Sequence, residues 1–272
     1  MLPGILLSAA AGIAAADLAG TTLEVHDAPD ADQGVAVDSA YFFAVDNYVI
    51  AKYARETGEL VGRWDGGAEG PIRHLNSCIR IGRLLECANS NYPVTPMASS
   101  VEVFDAETLQ HVDSHSLGLT DEGSLTWTDV LDGGRIAGFA HYGKKGGEPH
   151  KNNAYGAVVS YDERWRRTGG WAFPPALAER MAPYAASGGA IGPDGLLHVM
   201  GHDRPEMYVL GKPARGPYLV HIATITLEAE GQAFSFEPGG RPIVWVVDRR
   251  AGKVRRIVLP EIEAPASARR FR

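Results

Sequence analysis

Gly34-Val35-Ala36-Val37-Asp38, Tyr41-Phe42-Phe43-Ala44-Val45-Asp46 and the run Val49 to Tyr53, closed by Glu56-Thr57-Gly58, decide how this chain folds. Three short runs rich in β-branched and aromatic residues stand a few residues apart, each bounded by turn-forming residues. None carries the three-to-four-residue apolar spacing of an amphipathic helix. The pattern returns along the chain. A second copy holds the hairpin Cys78 to Cys87 and then Val101 to Asp105. A third runs from Ser124-Leu125-Thr126-Trp127 through Asp132-Gly133-Gly134 and Ile136 to Ala140, and on to Val158–Asp162. A fourth has Gly192-Pro193-Asp194-Gly195 followed by Leu196 to Val199 and Met207 to Leu210, and a fifth has Ile243 to Asp248 and Lys253 to Leu259. Self-similarity at a period of about fifty residues is the mark of repeated blades. The reading is all-β, a five-bladed β-propeller, with six blades the alternative if two copies have been merged.

The fifth copy lacks an outermost strand, whereas Thr21-Thr22-Leu23-Glu24-Val25-His26 stands unassigned ahead of the first. Docking that N-terminal strand on the last blade would complete it, close the ring and remove an exposed edge. The one helical segment is expected at Pro175 to Tyr184.

The 272 residues, 45% hydrophobic, can bury a large core, and 26 Lys+Arg against 33 Asp+Glu give a net charge of −7. That balance argues against nucleic acid or an anionic membrane surface as a partner. The one basic cluster, Arg269, Arg270 and Arg272, reads as a solvated tail. Residues 1–16 form an apolar run ending in Ala14-Ala15-Ala16, the small-residue pattern of a signal peptide, without a basic residue between Met1 and Ile5. Residues 17–272 then form a single propeller domain, periplasmic or secreted. Cysteine placement supports export. A two-residue type II′ turn at Gly82-Arg83 sets Ile81 opposite Leu84, Arg80 opposite Leu85, Ile79 opposite Glu86 and Cys78 opposite Cys87. This last is a non-hydrogen-bonded pair, close enough for a cross-strand disulfide.

In a propeller, the loops leading into the innermost strands and those following the second strands share one face. After the second strands stand Asp46 and Asn47, Asn89 and Asn91, His141 and Tyr142, His202 and Asp203, and Asp248 and Arg249. Aligned at their turns, Asn47, Ser90, His141, His202 and Asp248 are equivalent, which predicts a polar ring. The inbound loops add Glu69-Gly70-Pro71 with His74 and Asn76, Glu122-Gly123-Ser124, Ser187-Gly188-Gly189 and Glu230-Gly231-Gln232. In the recurring Glu-Gly pair, Gly permits a tight turn and Glu can reach inward as base or ligand. His141, His202, Glu122 and Glu230 are the candidate catalytic groups, and Asn47, Asn76, Asn89, Asn91, Tyr142, Asp203 and Arg249 the candidate substrate contacts. His74, His141 and His202, from successive blades, could hold a divalent metal ion or act as hydrogen-bonding histidines without one. The Gly143–Asn153 loop, with Glu148 and His150, suits a flap over the mouth. There is no Gly-x-Ser-x-Gly elbow, phosphate loop or dinucleotide fingerprint.

The turns Gly192-Pro193-Asp194-Gly195-Leu196 and Gly239-Gly240-Arg241, with Val247-Asp248-Arg249, resemble the blade turns of lactonase and NHL-type bacterial propellers. The run from Gly34 to Tyr142, with Arg73-His74-Leu75-Asn76-Ser77-Cys78 and Asn89-Ser90-Asn91-Tyr92-Pro93, resembles secreted bacterial proteins labelled cycloisomerase-like. Glu69-Gly70-Pro71 is similar to the Glu-Gly-Pro of gluconolactonase-type propellers, where the Glu is a metal ligand beside Asn and Asp. The aromatic residue that usually follows is absent here, and those enzymes have six blades. The resemblance implies an enzyme that forms or cleaves a lactone of a small polar or sugar-acid substrate, metal-assisted or not. Two alternatives stand beside it. One is a glycan-cleaving propeller with carboxylates drawn from Glu69, Glu122, Glu230 and Asp203. The other is a non-catalytic periplasmic ligand- or protein-binding module using Tyr48, Tyr92, Tyr142 and Trp127.

Overall fold

A computed structural model describes residues 18–272; the signal-peptide reading falls on residues outside these. Five antiparallel sheets of four blade strands each surround a channel. The first blade is built of Gly34–Val37, Tyr41–Asp46, Val49–Ala54 and Leu60–Asp65, and the second of Leu75–Ile81, Leu84–Ser90, Ala98–Asp105 and His111–Leu119. The third comprises Ser124–Leu131, Gly134–Ala140, Ala157–Asp162 and Arg167–Ala172, and the fourth Gly188–Ile191, Leu197–Met200, Glu206–Pro213 and Val220–Thr226. The fifth contains Phe234–Phe236, Ile243–Asp248 and Lys253–Val258, with Thr21–Asp27 as its outermost strand. Innermost strands of successive blades pack side by side, and that of the fifth lies against that of the first. The ring therefore closes at five blades, and the six-blade alternative falls away.

Both faces of each sheet are covered by a neighbour, so the inner strands read as nearly continuous apolar runs and the alternation sorts side chains between two seams. In the first blade Ala36, Phe43, Val45 and Ile50 face the second blade, packing with Leu75, Leu85 and Phe104. Their alternates Val35, Phe42, Ala44 and Ala51 face the fifth blade, against Trp245, Val247 and Val254. Trp127 fills the seam between the third and fourth blades. A Cβ at Gly138 or Gly189 would collide with its indole, so these two positions need glycine for space.

Closure by the N-terminal strand is as the unassigned segment implied. Thr21 pairs with Val258 and Asp27 with Lys253, with a register shift between Thr22 and Glu24. The hairpin also has the expected register, Ile81 opposite Leu84 through Cys78 opposite Cys87. Gly82 has φ +56° and the two cysteines form a disulfide across a Cα separation of 4.0 Å. Because it closes a short loop, its removal in a Cys78→Ala/Cys87→Ala variant is expected to cost about 2–3 kcal/mol. Denaturant titration of the two proteins checks this, and coincident midpoints would refute it.

The helix spans Pro175–Met181 rather than reaching Tyr184. Ala182 precedes Pro183, and the proline ring disfavours helical backbone at the residue before it. The basic tail is not a solvated terminus. Ala268–Arg269 pairs with Lys212 and Pro213, Phe271 is buried beside Trp171, and Arg270 donates to the carbonyl of Asp194. No helix among the described residues is long and apolar enough to cross a membrane.

Candidate active site

The inbound loops and those after the second strands do converge. They enclose a cavity of about 230 Å³ at one mouth of the channel, lined by Gln33, His74, Asn76, Tyr92, Tyr142, Tyr184, Ser187, His202, Gln232 and Arg249. Every blade contributes here, the first through Gln33 and, behind the wall, Asn47.

Each of the two histidines at this cavity is held by a side chain from its own or an adjoining blade. The Asn47 amide donates through Nδ2 to Asp46 Oδ1 at 2.8 Å, which turns the amide's own oxygen, Asn47 Oδ1, towards His74. His74 Nδ1 lies 2.5 Å from that oxygen, so it must carry the proton, and Nε2 is left as a lone-pair acceptor with no protein partner among the described residues. The His74 ring packs against Tyr92 with centroids 5.0 Å apart. Burial lowers its pKa to about 4, the Asp32 carboxylate opposing and the Arg249 guanidinium reinforcing the shift. At neutral pH His74 is therefore an uncharged imidazole.

On the opposite wall, His202 Nδ1 donates to Asp203 Oδ1 at 2.5 Å, and its Nε2 accepts from Arg249 Nη1 at 3.2 Å. The ring stacks on Tyr184 at 4.0 Å. Arg249 Nε donates to Asp32 at 2.6 Å, so its guanidinium is fixed on two sides while it lines the cavity. Gln232 Nε2 donates to Gln33 Oε1 at 3.2 Å, closing the ring between the fifth and first blades. Burial pushes the Tyr142 and Tyr92 hydroxyls above their ordinary range, which keeps both as neutral donors.

Of the sequence candidates, His74, Asn76, Tyr142, His202 and Arg249 line the cavity, and Asn47 and Asp203 hold the two histidines. Asn89 supports rather than contacts: its Oδ1 accepts the His74 backbone N–H at 3.1 Å and its Nδ2 donates to Ser100 at 3.0 Å. Asn91 is spent within its own loop, donating to the carbonyl of Pro96 and accepting from the N–H of Ala98.

The other candidates lie elsewhere. His141 is fully buried, with Nε2 3.0 Å from the carbonyl of Asp121. Lys151, from the Gly143–Asn153 loop, donates to the same carbonyl, Asn153 bonds the carbonyl of Ala178, and the carbonyl of Lys145 accepts from the cavity residue Tyr92, so that loop is fastened down. Glu122 pairs with Arg167 at 2.6 Å, Glu230 with Arg250 at 2.8 Å, and the exposed Glu69 with Arg73 at 3.7 Å. In the Glu-Gly pairs it is the glycine that the fold requires. A Cβ at Gly70, Gly123 or Gly231 would run into the backbone carbonyl of Gly66, Ala140 or Gly201. Trp127 is buried between blades and offers no contact surface.

The donors do not fit a metal. Among the described residues no three His, Cys, Asp or Glu side chains gather in a coordinating group. The histidines expected to converge have Nδ1 of His74, both nitrogens of His202 and Nε2 of His141 already engaged. Of the carboxylates considered for glycan cleavage, Glu69, Glu122 and Glu230 form arginine pairs outside the cavity, and Asp203 is bonded to His202.

Gln33, Ser187, Gln232 and Tyr184 were missed as contacts. Ser187 and Gln232 adjoin the glycines that mark the inbound loops, and Tyr184 follows Pro183, where the short helix has ended.

No protein-family model and no curated protein matches the chain. Among solved structures, the PQQ-bound form of aldose sugar dehydrogenase from Streptomyces coelicolor is similar at 14% identity and a TM-score of 0.52, covering 94% of this chain and 86% of that one. RRP9 WD40 repeats align at 12% identity and a TM-score of 0.43, over 91% of this chain and 96% of theirs. The likeness to the dehydrogenase speaks to the propeller fold alone.

Proposed function

We propose that this is an exported propeller enzyme of lactonase or cycloisomerase type, acting on a small sugar-acid or similar polar substrate at the channel mouth. His74 is its general base and Arg249 its anion anchor. The observation that carries the reading is the Asp46–Asn47–His74 chain, which fixes one imidazole tautomer and leaves the basic nitrogen on a small polar cavity. In lactone opening, His74 Nε2 takes a proton from the attacking water as its oxygen bonds to the carbonyl carbon. The ring C–O bond then breaks, the departing oxygen receives that proton, and the new carboxylic acid gives up its own to solvent. Arg249, held by Asp32 and His202, faces the oxyanion and then the product carboxylate. Ring closure from the open hydroxy acid is the same sequence reversed, with water expelled from the carboxyl carbon.

A panel of monocyclic sugar-acid lactones and their open acids, followed by NMR, tests this on the wild-type chain and on Arg249→Gln. Turnover of at least one pair is expected. The variant should lower kcat/KM for the lactone about ten- to a hundredfold, the worth of a charge-assisted hydrogen bond of about 1.5–3 kcal/mol. No turnover across the panel, or an unchanged kcat/KM, would remove the reading.

A further inference from the structure

A second cavity opens on the flank of the ring, between the outermost strand of the first blade and the two outer strands of the second. It measures about 520 Å³, against about 230 Å³ at the mouth. Trp64, His111, Ser114 and Ser116 stand along it, and its two most buried polar side chains are Asn89 and Glu102.

Glu102 is unusual in this molecule. It is 5% exposed, yet its partners are two hydroxyls and an imidazole: Ser100 Oγ at 2.5 Å, Ser114 Oγ at 3.1 Å and His111 Nε2 at 2.8 Å. Other deeply placed carboxylates have an arginine against them, Glu86 with Arg135, Asp105 with Arg83, Asp248 with Arg255 and Glu237 with Arg256. No lysine or arginine lines this groove. Taking a carboxylate out of water without a fixed cation is costly, and such a charge is normally paired. His111 supplies a positive charge only when protonated, and its side chain is 35% exposed at the rim.

We propose that this groove binds a small organic cation bearing a primary ammonium group, with Glu102 as its counter-ion. The ammonium has three donors to place. The Glu102 carboxylate takes one, and the exposed Ser114 and Ser116 hydroxyls at the outer strand accept the others. The Trp64 indole provides the aromatic surface that attracts a cation and covers its alkyl stem. A neutral alcohol of the same shape lacks the charge that Glu102 requires, and an anion is repelled.

The test is titration of the full chain with butylammonium, read by tryptophan fluorescence and by amide chemical shifts, with 1-butanol as the neutral counterpart. Saturation below about 10 mM is expected for the amine and none for the alcohol. Glu102→Gln, which keeps the hydroxyl partners, should weaken binding at least tenfold, and Trp64→Phe should abolish the fluorescence change. Ser114→Ala at the exposed rim should weaken binding about threefold and serves if Glu102→Gln does not fold. A capped Gly-Lys-Gly peptide separates the sources: tighter binding than butylammonium assigns the groove to a lysine side chain of a partner, weaker binding to a free amine. No saturation by either amine, equal binding of butanol, or undiminished affinity in folded Glu102→Gln or Ser114→Ala would overturn the proposal.

Discussion

Replacing His74 by Asn is expected to lower kcat/KM for the lactone substrate by about 10²–10⁴-fold, the usual worth of a positioned general base. The substitution keeps a polar side chain of similar reach against Asn47 but removes the Nε2 lone pair. Folding should survive, because His74 is only half-buried and its backbone N–H remains bonded to Asn89. The pH profile adds a readout that lost packing would not move. With its pKa depressed to about 4 by burial, the imidazole is neutral and active at neutral pH. The acid limb of kcat/KM should accordingly fall near pH 4 rather than near the ordinary 6.5 of histidine. Nitrogen NMR at neutral pH should show the proton on Nδ1. A variant with wild-type activity, or an acid limb near 6.5, would take His74 out of the chemistry. His141 offers the contrast: it is buried beside Asp121 and does not line the cavity, so its replacement should act on stability without shifting the acid limb.

The contrast between these two histidines shows what a repeat pattern encodes. Blade number, hairpin register and closure by the N-terminal strand were legible because each follows from period-two alternation and turn chemistry, which are local. The face on which the loops converge around the cavity was legible too, since connectivity alone puts those loops together. Aligning the repeats located His141 and His202 at equivalent backbone positions but could not say where the rings point. That is settled by insertions outside the repeat. The Gly143–Asn153 loop brings Lys151 onto the carbonyl of Asp121 beside His141, whereas Tyr184, ahead of the fourth blade, stacks on His202 and turns it to the cavity. The glutamates failed for a similar reason. Arg73 stands four residues beyond Glu69, a spacing that marks it as a partner, but Arg167 and Arg250 reach Glu122 and Glu230 from distant segments.

Glu237→Gln is expected to destabilise the protein by about 3 kcal/mol, the lower range for breaking a buried ion pair. Glu237 directly follows the innermost strand of the fifth blade and is 8% exposed. It accepts from Arg256 Nε at 2.6 Å, from Arg55 Nη2 at 2.9 Å and from Trp245 Nε1 at 3.1 Å. Arg256 in turn reaches Glu24 of the N-terminal strand at 2.9 Å, and Arg55 belongs to the first blade. One carboxylate thus joins the three segments that must meet for the ring to close, and the amide would leave two enclosed guanidinium groups short of a counter-charge. Hydrogen bonds from Arg256 lead the causes that hold the Glu237 carboxyl at about 2 instead of its ordinary 4.5. A depressed carboxylate pKa adds stability that is fully present above the unfolded value and is lost as pH falls from about 4.5 towards 2. The wild type should therefore lose stability across that window, and the variant should lose less. A fall in Tm of roughly 6–12 °C at neutral pH is expected for a chain of this size. Arg241 donates to the same carboxylate at 3.2 Å but its side chain is 66% exposed, so Arg241→Gln should shift Tm by about 2 °C or less. Equal shifts for the two variants would mean that the seam is held by Phe42, Trp245 and their neighbours alone, with the ion pairs contributing nothing to closure.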